Sequence, residues 1–354
     1  MNLVEVVYGG LQMKVYFQGN FWGHMPYERA GKAIILNQRF EWDGYQWIIP
    51  VAYLCSKGLV LDFCRQIPLP RIQNFLKSWK GKAEANQLSS EEREMIEYDN
   101  PMSMLINIKA FINKRAVAGI RMCGICWNPL QSEEGNVTEE AATLMEEYQC
   151  DKECGWQFIR AALPWPNKRR PQKVSLTLNI EPYTMPYPCG QGFLFQVSEG
   201  GKQLEVIHPI SKKVYMLQID GMKSEVISEY AFREQTEIEF PKCYANLSYH
   251  FEEEAANKEF VLRDCTDSDR PRRISKYGDQ ASRTGEVGAI GIIGGASGVG
   301  AIFLPGKAGD NHIQEWHTAS SLHFAPISQV EWRISAVVKR GEPLMLKLID
   351  NLKI

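Results

Sequence analysis

Apolar and polar positions alternate over residues 39–47 about a central Asp43-Gly44. Asp-Gly suits a type I′ turn, whose two central residues need positive φ, so this pattern predicts a tight hairpin. Trp42 then faces Tyr45 and Phe40 faces Trp47, while Glu41 faces Gln46 on the other side. One face is aromatic and the other polar, which predicts burial of the aromatic face. Residues 51–55 and 59–64 flank a Ser56-Lys57-Gly58 turn and are apolar on both faces, as central strands are. Ile72, Phe75, Leu76 and Trp79 recur at helical spacing after Pro70 and predict a helix over about 70–80. Ser89-Ser90-Glu91-Glu92 is a capping-box pattern for a helix through about Tyr98, ended by Asn100-Pro101.

Residues 106–112 alternate with period two and predict a strand, with Asn113-Lys114 turning into a second strand over about 116–126. Thr138-Glu139 opens a predicted helix over about 138–162, carried by Met145, Tyr148, Trp156, Ile159 and Leu163, with Gly155 as a point of division. Residues 163–171 hold three prolines and Lys168-Arg169-Arg170, which cannot continue a helix and predict a linker. Short alternating runs follow at 174–180, 192–197, 204–207, 213–219, 237–240, 244–251, 259–262, 322–324, 330–338 and 344–349, with a polar loop over 267–283. Such spacing is that of a sandwich or barrel. The expected fold is therefore mainly β with α-helical insertions, a β-sandwich or distorted barrel in two closely packed halves. The expected domains are 1–165, rich in hairpins, and 172–354, dense in strands.

With 354 residues, 44% hydrophobic and 23% charged, the chain can bury a core without metal or disulfide support. A net charge of −2 argues against a general affinity for nucleic acid. The two basic runs, Lys168-Arg169-Arg170 and Arg270 with Arg272 and Arg273, neighbour prolines and read as exposed linkers. The first residues have no basic region before an apolar core, so no secretory signal is expected. No run of about 18 apolar residues occurs, and the glycine-rich stretch 288–305 is too low in bulk to span a bilayer. Nine cysteines, an odd number, fit free thiols in a reducing cytoplasm.

The glycine-rich stretch fails three tests for chemistry. Before Gly306-Lys307, Ala301 replaces the glycine of a phosphate loop, and Ala308 stands where a magnesium-binding hydroxyl belongs. Gly298-Val299-Gly300 is followed by Phe303 rather than the third glycine of a dinucleotide fingerprint. Gly295-Ala296-Ser297-Gly298-Val299 lacks the last glycine of a nucleophile elbow. The run Gly291-Ile292-Ile293-Gly294-Gly295-Ala296-Ser297-Gly298 resembles the Gly-Ile-Ile-Gly-Gly-Ala-Asp-Gly-Pro-Thr motif of the membrane β subunit of sodium-translocating carboxylic-acid decarboxylases. The likeness covers about 15 residues. Ser297 replaces that family's sodium-path Asp, and Val299-Gly300 replaces Pro-Thr, so the resemblance implies a shared tight glycine turn and no sodium-pump function. Gly294, Gly295, Ser297 and Gly298 are the candidate binding residues, through their turn amides.

Cys123 and Cys126 with Cys150 and Cys154 have the spacing of a four-thiolate zinc site. On a strand, however, Cys123 and Cys126 point to opposite faces. None of the six histidines forms a His-Glu-x-x-His pattern. No catalytic residue, metal ligand or cofactor is therefore assigned. The leading expectation is a non-enzymatic binding or assembly module for a protein or small-molecule ligand. Two alternatives stand beside it. One is an enzyme acting on a small molecule or carbohydrate, with Asp310, His312, Glu315 and His317 near the glycine-rich loop. The other is a zinc-stabilised structural protein.

Overall fold

A computed structural model describes residues 13–84, 88–103, 106–130, 138–227, 238–266, 268–273 and 316–354. The chain divides into two compact units: 1–88 with 96–185 and 339–354, and 89–95 with 186–338. The expected division at 164–172 falls elsewhere, inside the first unit, where 165–172 joins two of its strands.

In the first unit, β1 (Lys32–Trp42), β2 (Tyr45–Leu54), β3 (Gly58–Ile67), β7 (Gly155–Pro164) and β6 (Arg121–Trp127) form an antiparallel five-stranded sheet in that order. A four-stranded sheet runs β18 (Leu344–Lys353), β8 (Lys173–Glu181), β4 (Asn107–Ile112) and β5 (Arg115–Ala116). Their inner faces share one core: Leu59, Leu61, Phe63, Ile159 and Ala161 meet Ile108, Ala110, Leu176 and Leu178. The alternate residues Val60, Cys64, Phe158 and Ala162 face the other way, against Val15, Phe17 and α3 (Glu139–Glu147). Both faces of the central strands are thus buried, as their unbroken apolar runs require. Helix α1 (Leu69–Glu84) adds Ile72 and Leu76 to the inter-sheet core.

The hairpin forms in the predicted register. Trp42 pairs with Tyr45, Phe40 with Trp47 and Glu41 with Gln46. Asp43 and Gly44 take φ of 51° and 69°. Trp42, Tyr45 and Trp47 are buried, and Glu41 and Gln46 are exposed. Helix α2 (Ser90–Asp99) starts on the predicted capping box: the Ser89 amide donates to Glu92 Oε2 at 3.0 Å, and the Glu92 amide to Ser89 Oγ at 3.1 Å.

Two expected elements of the first unit differ. The helix over 138–162 stops at residue 147, and 155–164 is a strand. Gln149 takes φ of 49°, and the Cys150 amide donates to the Met145 carbonyl at 2.9 Å, a Schellman stop. In β7 every position from Gly155 to Leu163 is buried, so the helix-like spacing of Trp156, Ile159 and Leu163 marks a strand wrapped on both faces. The strand expected over 116–126 is broken near Gly119, whose φ is 69°, and its two pieces join different sheets.

The second unit is also a sandwich. One sheet runs β10 (Lys202–Ile207), β11 (Val214–Val226), β13 (Cys243–Phe251) and β16 (Trp316–Ala319). The other runs β14 (Phe260–Asp264), β17 (Gln329–Arg340) and β9 (Tyr183–Gln196). Phe195, Leu217, Leu247, Phe251, Leu262 and Trp332 fill the space between them. β12 (Ile238–Glu239) pairs with β15 (Arg272–Arg273). Residues 322–324, expected as a strand, carry a single bridge, His323 to Cys243. The fold is mainly β with helical insertions, and among the described residues the sheets stay open rather than closing into a barrel.

Candidate binding cleft

The site begins with two charged residues inside apolar strands. Asp62 on β3 and Arg160 on β7 are direct cross-strand partners. Both side chains point to the sheet face that carries α3, where Asp62 is 0% and Arg160 5% exposed. A buried charge persists only when paired and hydrogen-bonded. Here Arg160 donates Nε to Asp62 Oδ1 at 2.8 Å and Nη2 to Oδ2 at 2.6 Å. Tyr148, at the end of α3, donates its hydroxyl to Asp62 Oδ2 at 2.5 Å, and Tyr53 OH lies 3.2 Å from Tyr148 OH. Burial works against the charge on Arg160, but Asp62 overcomes it and raises the guanidinium pKa. Burial, then the charge of Asp62, pushes both tyrosine pKa values up. The cluster is thus a neutral pair held by protonated phenols.

Over this pair lies an N-terminal segment without helix or strand. Val15 and Phe17 anchor it in the core, and the Met13 amide donates to Glu147 Oε1 on α3 at 3.0 Å. Asn20 then builds a turn: its Oδ1 accepts from the amides of Trp22 at 2.9 Å and Gly23 at 2.8 Å, and its own amide donates to the Gly23 carbonyl at 2.9 Å. The Gln18 amide closes the base of the loop on the Glu28 carboxylate. The loop is therefore fixed by hydrogen bonds although it turns large apolar groups outward. Trp22 is 55%, Met25 56% and Tyr27 102% exposed. His24 stacks on Tyr16 with centroids 3.8 Å apart, and Phe21 packs its ring face on the Arg160 guanidinium at 4.5 Å.

The opposite side is α3. Thr138 caps it by accepting from the Ala141 amide, and Ala141, Leu144 and Met145 turn inward. That rotation presents Glu139, Glu140 and Thr143 outward. Between loop and helix lies a cleft of about 410 Å³, with Arg160 at its floor and Lys14 among its lining residues.

Gly294, Gly295, Ser297 and Gly298, the candidates from sequence, lie outside the described residues, as do Asp310, His312 and Glu315. The segment resembling the decarboxylase motif lies there too. His317 is on β16, with Nδ1 3.1 Å from Ser248 Oγ. Cys123 and Cys126 pair with Arg160 and Gln157 respectively and so sit on opposite faces of β6. Cys154 Sγ instead contacts Asp151 and Gln66. Among the described residues no three His, Cys, Asp or Glu side chains are grouped to hold a metal. Lys168, Arg169 and Arg170 are exposed.

Sequence reasoning passed over the cleft because 13–31 has no periodicity to read. The available signal was a single charge inside each of two apolar runs, Asp62 and Arg160.

No protein-family model matches the chain, and no curated protein matches it. One solved structure, the crystal structure of the conserved domain protein from Bacillus anthracis, is 11% identical. The alignment covers 91% of this chain and 95% of that one at a TM-score of 0.21, too low to carry an argument about either fold or function.

Proposed function

We propose that this protein is a non-enzymatic binding module and that the cleft between the 13–24 segment and α3 is its ligand seat. The observation that carries this reading is an exposed tryptophan lining an open cleft. Trp22 sits on a turn closed by three hydrogen bonds from and to Asn20, beside a cleft of about 410 Å³. That volume lies within the range of small-molecule sites, about 300–1,000 Å³. Loops set by hydrogen bonds and bearing exposed aromatics bind with little ordering cost.

Three polar groups around the cleft are committed to holding positions. The Thr143 hydroxyl donates to the Glu139 carbonyl at 2.9 Å, His24 Nδ1 lies 3.0 Å from the Met25 carbonyl, and Arg160 is bound by Asp62. This favours retention of a ligand over its conversion. The cytoplasm is the proposed setting, on the strength of nine free cysteines. No helix among the described residues is long and apolar enough to cross a membrane.

Fluorine-labelled tryptophan tests the reading. The nine tryptophans give separate fluorine resonances, and Trp22→Phe assigns the one at the cleft. In a screen of chemically mixed small molecules, ligands should move the Trp22 line and leave buried Trp332 in place. A Trp22 line that no compound moves, alongside hits at other tryptophans, would place the ligand site elsewhere.

A further inference from the structure

We infer that the cleft takes a neutral sugar ring, an inference that rests on the cleft being the ligand seat. The two walls differ in kind. On the loop side stand Tyr16, Phe21 and Trp22; on the helix side stand the carboxylates of Glu139 and Glu140 and the Thr143 side chain. A flat apolar ligand would leave the helix wall without partners, at the cost of desolvating its carboxylates. A small polar ion would leave the aromatic wall bare. A pyranose has a face of C–H groups and an edge of hydroxyls, so it meets both walls at once.

The aromatic geometry fits a ring laid on Trp22. Phe21 meets Trp22 edge-on, with planes at 88° and centroids 6.1 Å apart, and Trp22 is 55% exposed. Its electron-rich face is the natural seat for weakly positive C–H groups. On the other wall, ionised carboxylates only accept hydrogen bonds, and sugar hydroxyls donate them. The Lys14 ammonium supplies a donor for the hydroxyl oxygens.

Charge selects against anionic ligands. The floor is neutral, because Arg160 is bound at two points by Asp62. Two carboxylates on the helix wall repel an anion. Arg160 covers Phe21 at 4.5 Å and His24 covers Tyr16 at 3.8 Å, which leaves the Trp22 face, and a cation seated there opposite the carboxylates is the rival that the charged compounds test. An uncharged ligand with many hydroxyls uses the Trp22 face and the carboxylate acceptors together.

The test titrates the full fluorotryptophan-labelled chain with methyl glucoside, methyl galactoside, methyl mannoside, N-acetylglucosamine, maltose, cellobiose and lactose. Glucuronate, glucosamine and benzyltrimethylammonium form the charged arm. At least one neutral sugar should move the Trp22 line saturably and bind more tightly than the charged compounds. In calorimetry Trp22→Ala should weaken that sugar by about tenfold or more. Glu140→Gln should weaken it by less. Trp22 is exposed, so Trp22→Ala should keep the wild-type melting temperature.

Tightest binding by a charged compound, wild-type affinity in Trp22→Ala, or a Trp22 line unmoved by every neutral sugar overturns the inference. If other small molecules move Trp22 while sugars do not, the sugar assignment fails and the cleft remains the ligand seat. If nothing moves Trp22, both readings fall.

Discussion

Asp62 and Arg160 are 98 positions apart, and neither looks unusual where it stands in the sequence. Asp62 is one acid within 59–64, and Arg160 one base within 155–164. Only the register of β3 against β7 makes them neighbours. Once neighbours and buried, they depend on each other. Asp62→Asn keeps the shape and removes the charge that holds Arg160. It should destabilise the first unit by about 3–5 kcal/mol in urea unfolding, because an uncompensated guanidinium remains in the interior. A joint Asp62→Leu, Arg160→Met replacement should cost less than that single change, since it removes both charges together. If the double variant is less stable than Asp62→Asn, the pair contributes more than mutual neutralisation.

Among the elements, those governed by local chemistry were legible. The hairpin at Asp43-Gly44 and the capping box at Ser89 and Glu92 formed as their residues dictate, because neighbours in sequence supply the strand pairing and the cap. The failures were elements whose character depends on distant strands. The spacing of Trp156, Ile159 and Leu163 mimics a helix face, yet β3 and β6 on either side fix the segment as a strand. Gly58 shows how tightly that sheet closes. A Cβ there would lie 2.1 Å from the Leu163 carbonyl oxygen and 2.4 Å from the Phe17 ring. Gly58→Ala should therefore lower stability by about 1–3 kcal/mol or more through overpacking. Gly200→Ala meets nothing within 4 Å and should be neutral or gain up to about 1 kcal/mol. Chemical denaturation of both variants tests this contrast, and equal effects would contradict the packing around Gly58.

At the scale of the whole molecule, burial of ionisable groups sets the response to pH. Burial chiefly pushes Cys55, Cys150 and Cys189 up to about 12, and Tyr249 up to about 12. In the unfolded chain the thiols lose their protons near about 8.5. The unfolded state therefore binds fewer protons than the folded state between about 8.5 and 12, and stability falls as pH rises through that window. The urea midpoint should hold between pH 7 and 8 and decline from pH 9 to 10.5; a flat profile would contradict the burial of these thiols. Iodoacetamide at pH 8 should likewise leave Cys55 and Cys150 unmodified in the native chain and label them on unfolding.

The sequence by itself determined the β-rich class, the turn chemistry and the strands that must be buried on both faces. These follow from side-chain alternation and from residues that tolerate positive φ, which act over a few positions. Only the tertiary structure decided that 155–164 is a strand, that the units divide after residue 185, and that Asp62 meets Arg160 against Phe21. Each of these depends on which strand lies beside which, and strand order is set by burial summed over the whole sheet rather than by any one segment.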